Sequence, residues 1–254
     1  MMDIYYTIIS FIFGITLGSF YNVVGYRLPR EQSLIYPSSH CTSCNHKLGI
    51  LDLFPVFSFI FLRGKCRYCG QKISWFYPFF EFMTGTLFAI SYIVFGQSIE
   101  FFISITFISM LLIIIISDYQ TMIIPDELLL VCGFVLIILI GINKGLVGLG
   151  YSLIEGIVAF VIMFAIKKLG DFMFKKESMG GGDIKLMFIF GLVLGLPMAL
   201  VSIFIASFIG LPISLFILYR KKEHEIPFGP FLAVAAITIM LTELNLDKLI
   251  TMLY

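Results

Sequence analysis

The chain has 254 residues, of which 59% are apolar and 13% charged, and its net charge is +1. Soluble domains are about 45–50% apolar and about 25% charged, so a soluble enzyme is excluded: its surface could not be covered with polar groups. The same numbers exclude disorder, and apolar runs that are continuous rather than alternating argue against a β-barrel.

What remains is an all-α, polytopic membrane protein whose spans each need about 20 mostly apolar residues. In chain order, residues 4–26, 82–99, 101–117 and 128–143 are free of charge, and 145–166 is broken only by Glu155. Residues 186–219 are also uncharged but too many for one span, so two spans with a tight turn at Gly195-Leu196-Pro197 are expected. Residues 226–242 make the last, and the count is about eight. The first run has no basic flank ahead of it and no small-x-small cleavage site, so it is expected to be a span and not a signal peptide.

The basic residues orient these spans. Arg27, Arg30, Lys47, Arg63, Lys65, Arg67 and Lys72 lie between the first two spans. Lys167, Lys168, Lys175, Lys176 and Lys185 lie around the junction of the fifth and sixth, and Arg220, Lys221 and Lys222 before the last. Eight spans put all of these on one face, leaving only Lys144 and Lys248 on the other. The positive-inside rule makes the first face cytoplasmic. Both termini then lie outside the cytoplasm, and the segment between the first two spans is the one sizeable piece outside the bilayer.

That segment carries Cys41-x-x-Cys44 and Cys66-x-x-Cys69. Two such pairs about twenty residues apart predict a zinc-ribbon-like loop, each pair offering two thiolates to one ion. A reducing cytoplasm disfavours disulfides. His40 and His46 flank the first pair as spare donors that a four-thiolate set does not need. The metal is expected to be structural, a staple for a domain too small to bury a core. Cys132 is read as a packed apolar residue.

Two acids stand out by position. Asp118 closes the third span and Asp183 opens the sixth, and the deduced orientation brings both to the cytoplasmic edge of the bilayer. Ionisable groups there are costly and point to function. Two close carboxylates share a proton, so that one can act as base on a water while the other polarises a carbonyl, as in aspartic proteases. The glycines at 180–182 suit a close backbone approach and a positive φ. The competing reading is that both acids are merely solvated at helix ends, where a carboxylate at a helix N-terminus is favourable in any case. Asp126, after Pro125, reads as a helix cap. Asp3, Asp52, Asp171 and Asp247 lie in loops or tails and attract no role.

Taken together, four segments resemble the bacterial type IV prepilin peptidase family. They are Gly18-Ser19-Phe20-Tyr21-Asn22-Val23-Val24 with Tyr26-Arg27-Leu28-Pro29; the cysteine loop with Arg63-Gly64-Lys65-Cys66 and residues 77–81; Asp118 with Ile124-Pro125-Asp126; and Met179-Gly180-x-Gly182-Asp183-x-Lys185, a GxGD motif. Ile226-Pro227-Phe228-Gly229-Pro230-Phe231 resembles a proline-rich segment before the last span. The resemblance implies an aspartic endopeptidase that cuts the basic leader of prepilins and pseudopilins after Gly. It also implies an N-methyltransferase acting on the new N-terminal residue with S-adenosylmethionine.

By that likeness Asp118 and Asp183 are the catalytic pair, Gly180, Gly182, Pro227 and Gly229 belong to substrate-contacting motifs, and Gly64 is associated with methylation. Three regions follow: residues 1–26 as the first span, 27–77 as the zinc and methyltransferase-associated domain, and 78–254 as the membrane peptidase. Prepilin and lipid are the expected partners, and nucleic acid is not. Glu81 and Glu177 are candidate counter-charges for the leader, or simply favourable helix-end carboxylates. Two other readings fit part of the pattern. A presenilin- or signal-peptide-peptidase-like protease shares GxGD but not the cysteine loop. An ion-coupled transporter would explain the acids and broken helices, but no internal repeat supports it.

Overall fold

The computed structural model describes all residues except 1, 176, 178, 222–226, 246, 247, 249, 250 and 252–254. Lys176, Lys222, the expected start of the last span at Ile226, and Asp247 lie outside the described residues. The chain forms two compact units, Met1–Gln97 and Ser98–Tyr254. Among the described residues every regular element is helical, with only two isolated β-bridges.

In the first unit, α1 (Met2–Arg27) and α3 (Phe76–Phe95) frame the cysteine loop, which also holds the short α2 (Phe57–Phe61). Glycines let α1 and α3 approach: a Cβ added at Gly14 would lie 2.7 Å from the Cα of Gly85, and one at Gly18 would lie 2.8 Å from the Cα of Glu81. Small residues at such crossings are how apolar helices pack where water exclusion supplies no drive. Asn22 adds a polar tie, its Nδ2 donating to the carbonyls of Gly18 and Tyr77 at 3.2 Å each. The second helix of this pair starts at Phe76, six residues before the uncharged run at 82, because Glu81 is enclosed within it and does not end it. It stops at Gly96, whose φ of 59° no helix tolerates.

The second unit contains α4 (Ile99–Thr121), α5 (Asp126–Phe174), α6 (Gly181–Leu194), α7 (Leu196–Lys221) and α8 (Gly229–Leu241). Ser98 caps α4 by accepting the N–H of Phe101 at 3.3 Å. α5 is two helices end to end, since Gly145 breaks it with φ 70° and ψ 176°, at the junction expected between two spans. α6 and α7 meet at Gly195 (φ 83°), which is the expected tight turn. Five described helices are long and apolar enough to cross a membrane, with the broken α5 counted once, while α6 and α8 have only 14 and 13 residues.

The core of this unit explains the short helices. Phe107, Leu111 and Ile114 of α4 are enclosed on all sides, as are Leu186 and Phe190 of α6 and Leu232 and Ala236 of α8. A helix that is apolar all round is an interior helix. α6 locks onto α5 through facing glycines: a Cβ at Gly191 would lie 2.6 Å from the carbonyl oxygen of Glu155, and one at Gly156 2.8 Å from that of Phe188. By contrast α5 and α7 present Leu130, Phe134, Phe204 and Phe208 outward, the surface expected of lipid-facing helices.

Candidate active site

Asp118 sits one turn before the end of α4, and Asp183 in the first turn of α6. Both are buried, with 6% and 8% of their surface exposed, and Asp183 lies within reach of the charge of Asp118. Their positions are set by the turns around them. Met122, in the left-handed region at φ 56°, donates its N–H to the Asp118 carbonyl at 2.9 Å and ends α4 there. The Ser117 hydroxyl donates to the carbonyl of Ile123, and that of Thr121 to the carbonyl of Ser117 at 2.9 Å. These bonds fold residues 118–124 back on the helix end and aim Ile124 inward.

Ile124 is the wedge on which the site is assembled. A Cβ at Gly182 would fall 2.7 Å from the Cβ of Ile124, and one at Gly229 3.4 Å from its Cδ1. The same Cβ at Gly229 would fall 2.6 Å from Oδ2 of Asp118, and the Gly229 N–H donates to that carboxylate. Glycine at 182 and 229 is therefore dictated by contact. At Gly180 the nearest atom would be Oδ2 of Asp183 at 3.7 Å, and at Gly181 nothing lies within 4 Å. The expected positive φ in this stretch is absent: Gly180 has φ −66° and ψ 148°, and Gly181 and Gly182 are already helical. Within 180–182 only Gly182 serves close approach. Pro227 is half-buried just ahead of α8.

Lys185 pairs with both oxygens of Asp126 at 2.6 and 2.7 Å, tying the start of α5 to the first turn of α6 two residues after Asp183. Asp126 opens α5 as expected, but its carboxylate goes to the lysine and not to a cap. Glu177 is exposed. Chemically, two enclosed carboxylates with backbone beside them can hold and deprotonate a water. Of the residues here, Ile124 is visible in the sequence only as part of the Ile124-Pro125-Asp126 segment; its role as a wedge between two glycines is not.

The second cluster lies in the first unit. The sulfurs of Cys41, Cys44, Cys66 and Cys69 all lie within 4.8 Å of one another, with Cys41 and Cys69 3.8 Å apart. A tetrahedral ion with bonds of about 2.3 Å has sulfur–sulfur edges of roughly 3.8 Å, so the four can hold one metal. Backbone N–H groups of Cys44 and Ser43 pull the Cys41 thiol down to about 6. The Gln71 N–H favours a thiolate at Cys69 too, but burial and the neighbouring sulfurs push it up to about 12. Four sulfurs this close need a cation to be thiolates together.

Each pair sits in the same hairpin. Cys41 N–H donates to the His46 carbonyl at 3.0 Å and Asn45 N–H to Cys41 at 2.8 Å; Cys66 and Gly70 repeat these bonds with Gln71 and Cys66 at 2.8 and 2.9 Å. Asn45 (φ 56°) and Gly70 (φ 72°) occupy the same left-handed position. The likeness is written in the residues: each pair is followed by Asn45 or Gly70, which suit the left-handed position, and then by Lys47 or Lys72. His40 and His46 stay off the sulfurs: His40 Nδ1 meets the Ser38 carbonyl at 3.0 Å, and the His46 ring lies on Tyr68 at 3.6 Å.

Asp52, which attracted no role in the sequence, clamps this loop. It takes the Gly49 N–H at 3.1 Å, Arg67 Nε at 2.7 Å and the Tyr68 hydroxyl at 3.2 Å. Burial opposes its charge, but the Gly49 N–H, Arg67 and Tyr68 outweigh it and hold the carboxyl below its usual value. Gly64 turns at φ 68° with any Cβ 3.0 Å from the Phe59 ring, and its N–H and carbonyl bond Phe59 and Ile73 at 2.8 Å each. Phe59 in turn packs edge-on against Trp75 at 4.6 Å.

Comparison with known proteins adds a separate line. Residues 12–95 match the bacterial peptidase A24 N-terminal domain, and residues 105–215 match the type IV leader peptidase family. A protein of Bacillus subtilis (strain 168) named prepilin leader peptidase/N-methyltransferase is 37% identical over 90% of this chain and 91% of its own. Relatives of the same name from Neisseria gonorrhoeae and Aeromonas hydrophila are 30% and 29% identical, covering 88% and 91% of this chain and 86% and 89% of theirs. No solved structure matches.

Proposed function

This chain belongs to the type IV leader peptidase family, and on that footing we propose that Asp118 and Asp183 are the catalytic pair of its peptidase. The protein is an enzyme with two activities, removal of prepilin leaders and N-methylation of the new N-terminus. The alternative readings as a presenilin-like protease or a transporter are not favoured. The observation that carries the proposal is that two buried acids 65 residues apart in sequence flank one isoleucine wedge: Asp118 lies against Gly229 and Asp183 follows Gly182, the two glycines that Ile124 touches.

In the mechanism, one carboxylate is ionised and takes a proton from a water between the pair. The other, protonated, donates a hydrogen bond to the scissile carbonyl. The water oxygen bonds to the carbonyl carbon, and the proton passes to the leaving amine as the C–N bond breaks. Ile124, Gly182 and Gly229 hold the geometry, and Gly180 and Pro227 are the further residues of the motifs that the family resemblance links to substrate. Gly as the residue before the cut suits a site so closely walled by backbone.

The cysteine set fits Zn2+ in a structural role, Cys41, Cys44, Cys66 and Cys69 holding it with no position left open for chemistry. S-adenosylmethionine would supply the methyl group when bound, and Gly64, held in its turn against the Phe59 ring, is the loop residue that the family resemblance associates with methylation. Residues 27–77 serve methylation and residues 78–254 proteolysis. The excess of Lys and Arg in the loops supports an inner-membrane protein with its active site at the cytoplasmic face, where a type IV prepilin or pseudopilin presents its leader.

The test is incubation of purified protein in detergent with a prepilin and S-adenosylmethionine. A shortened, methylated product is expected. A cleaved product from Asp118→Asn or Asp183→Asn at the parent rate would remove the pair from the chemistry.

A further inference from the structure

The loop between α1 and α3 does more than carry cysteines. From 50 to 61 it reads Ile-Leu-Asp-Leu-Phe-Pro-Val-Phe-Ser-Phe-Ile-Phe, and most of its large apolar side chains point outward, Phe59 alone among them being buried. Ile50, Leu51, Phe54, Phe57, Ile60 and Phe61 are all exposed, Ile50 at 87% and Phe61 at 81%. An apolar edge of this size marks a binding surface, and its depth says for what.

The depth is fixed at Val56. Its N–H donates to Oε2 of Glu81 at 2.7 Å, and Glu81 is buried in α3 with the Ser19 hydroxyl also on its carboxylate. α3 has 20 residues, so it is about 30 Å long and needs its whole length to cross a hydrocarbon core of about 30 Å. Glu81 is its sixth residue, which puts the carboxylate roughly 7 Å inside the edge of that core. Val56 is held at the same depth. Around this level α3 itself shows Phe79 and Phe82 outward, so the apolar edge of the loop continues a lipid-facing surface.

The backbone at the pin is also special. Val56 has φ 61° and ψ −51°, and the Phe57 N–H donates to the Pro55 carbonyl at 2.6 Å. That is a γ-turn of the rare, strained form, on a β-branched residue. A turn leaves backbone polar groups open, and at membrane depth each must be satisfied by protein. Glu81 does this for the Val56 N–H, which accounts for an acid in α3 without assigning it to the leader. Arg63, Lys65 and Lys72 are exposed on the same loop, where they would meet anionic headgroups.

We infer that residues 50–61 form a re-entrant edge inserted into the bilayer boundary, pinned by the Val56–Glu81 bond, so that the loop domain is seated in lipid and not suspended in water. This goes beyond the two activities and does not rest on either. Trp75 is the only tryptophan in the chain, so a Trp75→Phe protein is silent and a single reporter can be placed on the edge. The experiment uses two such reporters, Phe57→Trp and Phe61→Trp, each in the full chain. Each is reconstituted into phosphatidylethanolamine–phosphatidylglycerol vesicles with bromines on the upper acyl carbons.

Seating at the boundary, about 5–10 Å deep as for interfacial helices, predicts marked loss of emission to brominated lipid and little to aqueous iodide. Quenching by iodide without quenching by bromine would place the edge in water and overturn the inference. Quenching by neither would mean that protein covers the edge, from this chain or a second copy, and would overturn it equally.

Discussion

The two sites of this protein are built on opposite plans. The acid pair is made of sequence-distant pieces, each enclosed, and its geometry is a matter of contact: an isoleucine between two glycines, a carboxylate against a backbone. The cysteine set is made of two hairpins of a few residues each, with Cys44 and Cys69 exposed and Cys66 buried, and its four sulfurs are close enough to be drawn together by one ion. A site of the first kind depends on how helices pack and fails with any intruding atom. One of the second kind depends on its ligands and forms or dissolves without the helices.

The strongest way to break this contrast is at the acids. Asp118→Asn and Asp183→Asn are each expected to lower cleavage by roughly 10³-fold or more, in the range lost with a general acid or base. Methylation of a pilin already lacking its leader should continue at the parent rate. Loss of both activities together would show that the two plans are not separable. Next comes the metal. Cys41→Ser, or stripping by a chelator, should abolish methylation and release zinc detectable by elemental analysis, while cleavage of prepilin persists.

The glycines sharpen the contact side. Gly229→Ala puts a methyl 2.6 Å from Asp118 Oδ2, and Gly182→Ala puts one 2.7 Å from Ile124. Overpacking of this kind costs about 1–3 kcal/mol, read here as a large loss of cleavage, with Gly180→Ala near the parent rate. A deficit at Gly180→Ala equal to the other two would point to a substrate contact instead of packing. On the loop side Gly64→Ala combines φ 68° with a contact of 3.0 Å. It should cost about 1 kcal/mol or slightly more and lower methylation more than cleavage.

The smallest effect is expected at Asp52. Its folded carboxyl lies below the unfolded value, so its contribution is complete above about pH 4 and is lost as the pH falls through the folded value. Asp52→Asn should flatten that acid limb of metal retention and leave the neutral plateau slightly lower.

Legibility in the sequence divides along the same line. The cysteine pairs announce themselves because their chemistry is local, and spacing alone carries it. The two aspartates are legible because a charge is conspicuous in an apolar chain. Ile124 is legible only as a member of the Ile124-Pro125-Asp126 segment; that it wedges between Gly182 and Gly229 is not, since nothing in a branched side chain marks its contacts. The four motif glycines look alike until a virtual Cβ is placed on each. Glu81 was taken as a boundary because acids usually end spans; it is enclosed because Val56 needs its oxygen, a fact 25 residues away. Asp52 looked idle because its partners, Arg67 and Tyr68, come later in the chain. The shortness of α6 and α8 follows from their burial, which apolar composition cannot distinguish from exposure to lipid.

The contact between Gly229 and Asp118 also has a meaning in time. A ribosome that has just finished α6 has already delivered both aspartates, but the backbone that one of them lies against belongs to α8. Until that last described helix is threaded into place, the nascent chain carries the acids without the finished cleft. A potential protease thus matures only once α8 has followed both acids into place, and its neighbours in the membrane have little to fear from the half-made one.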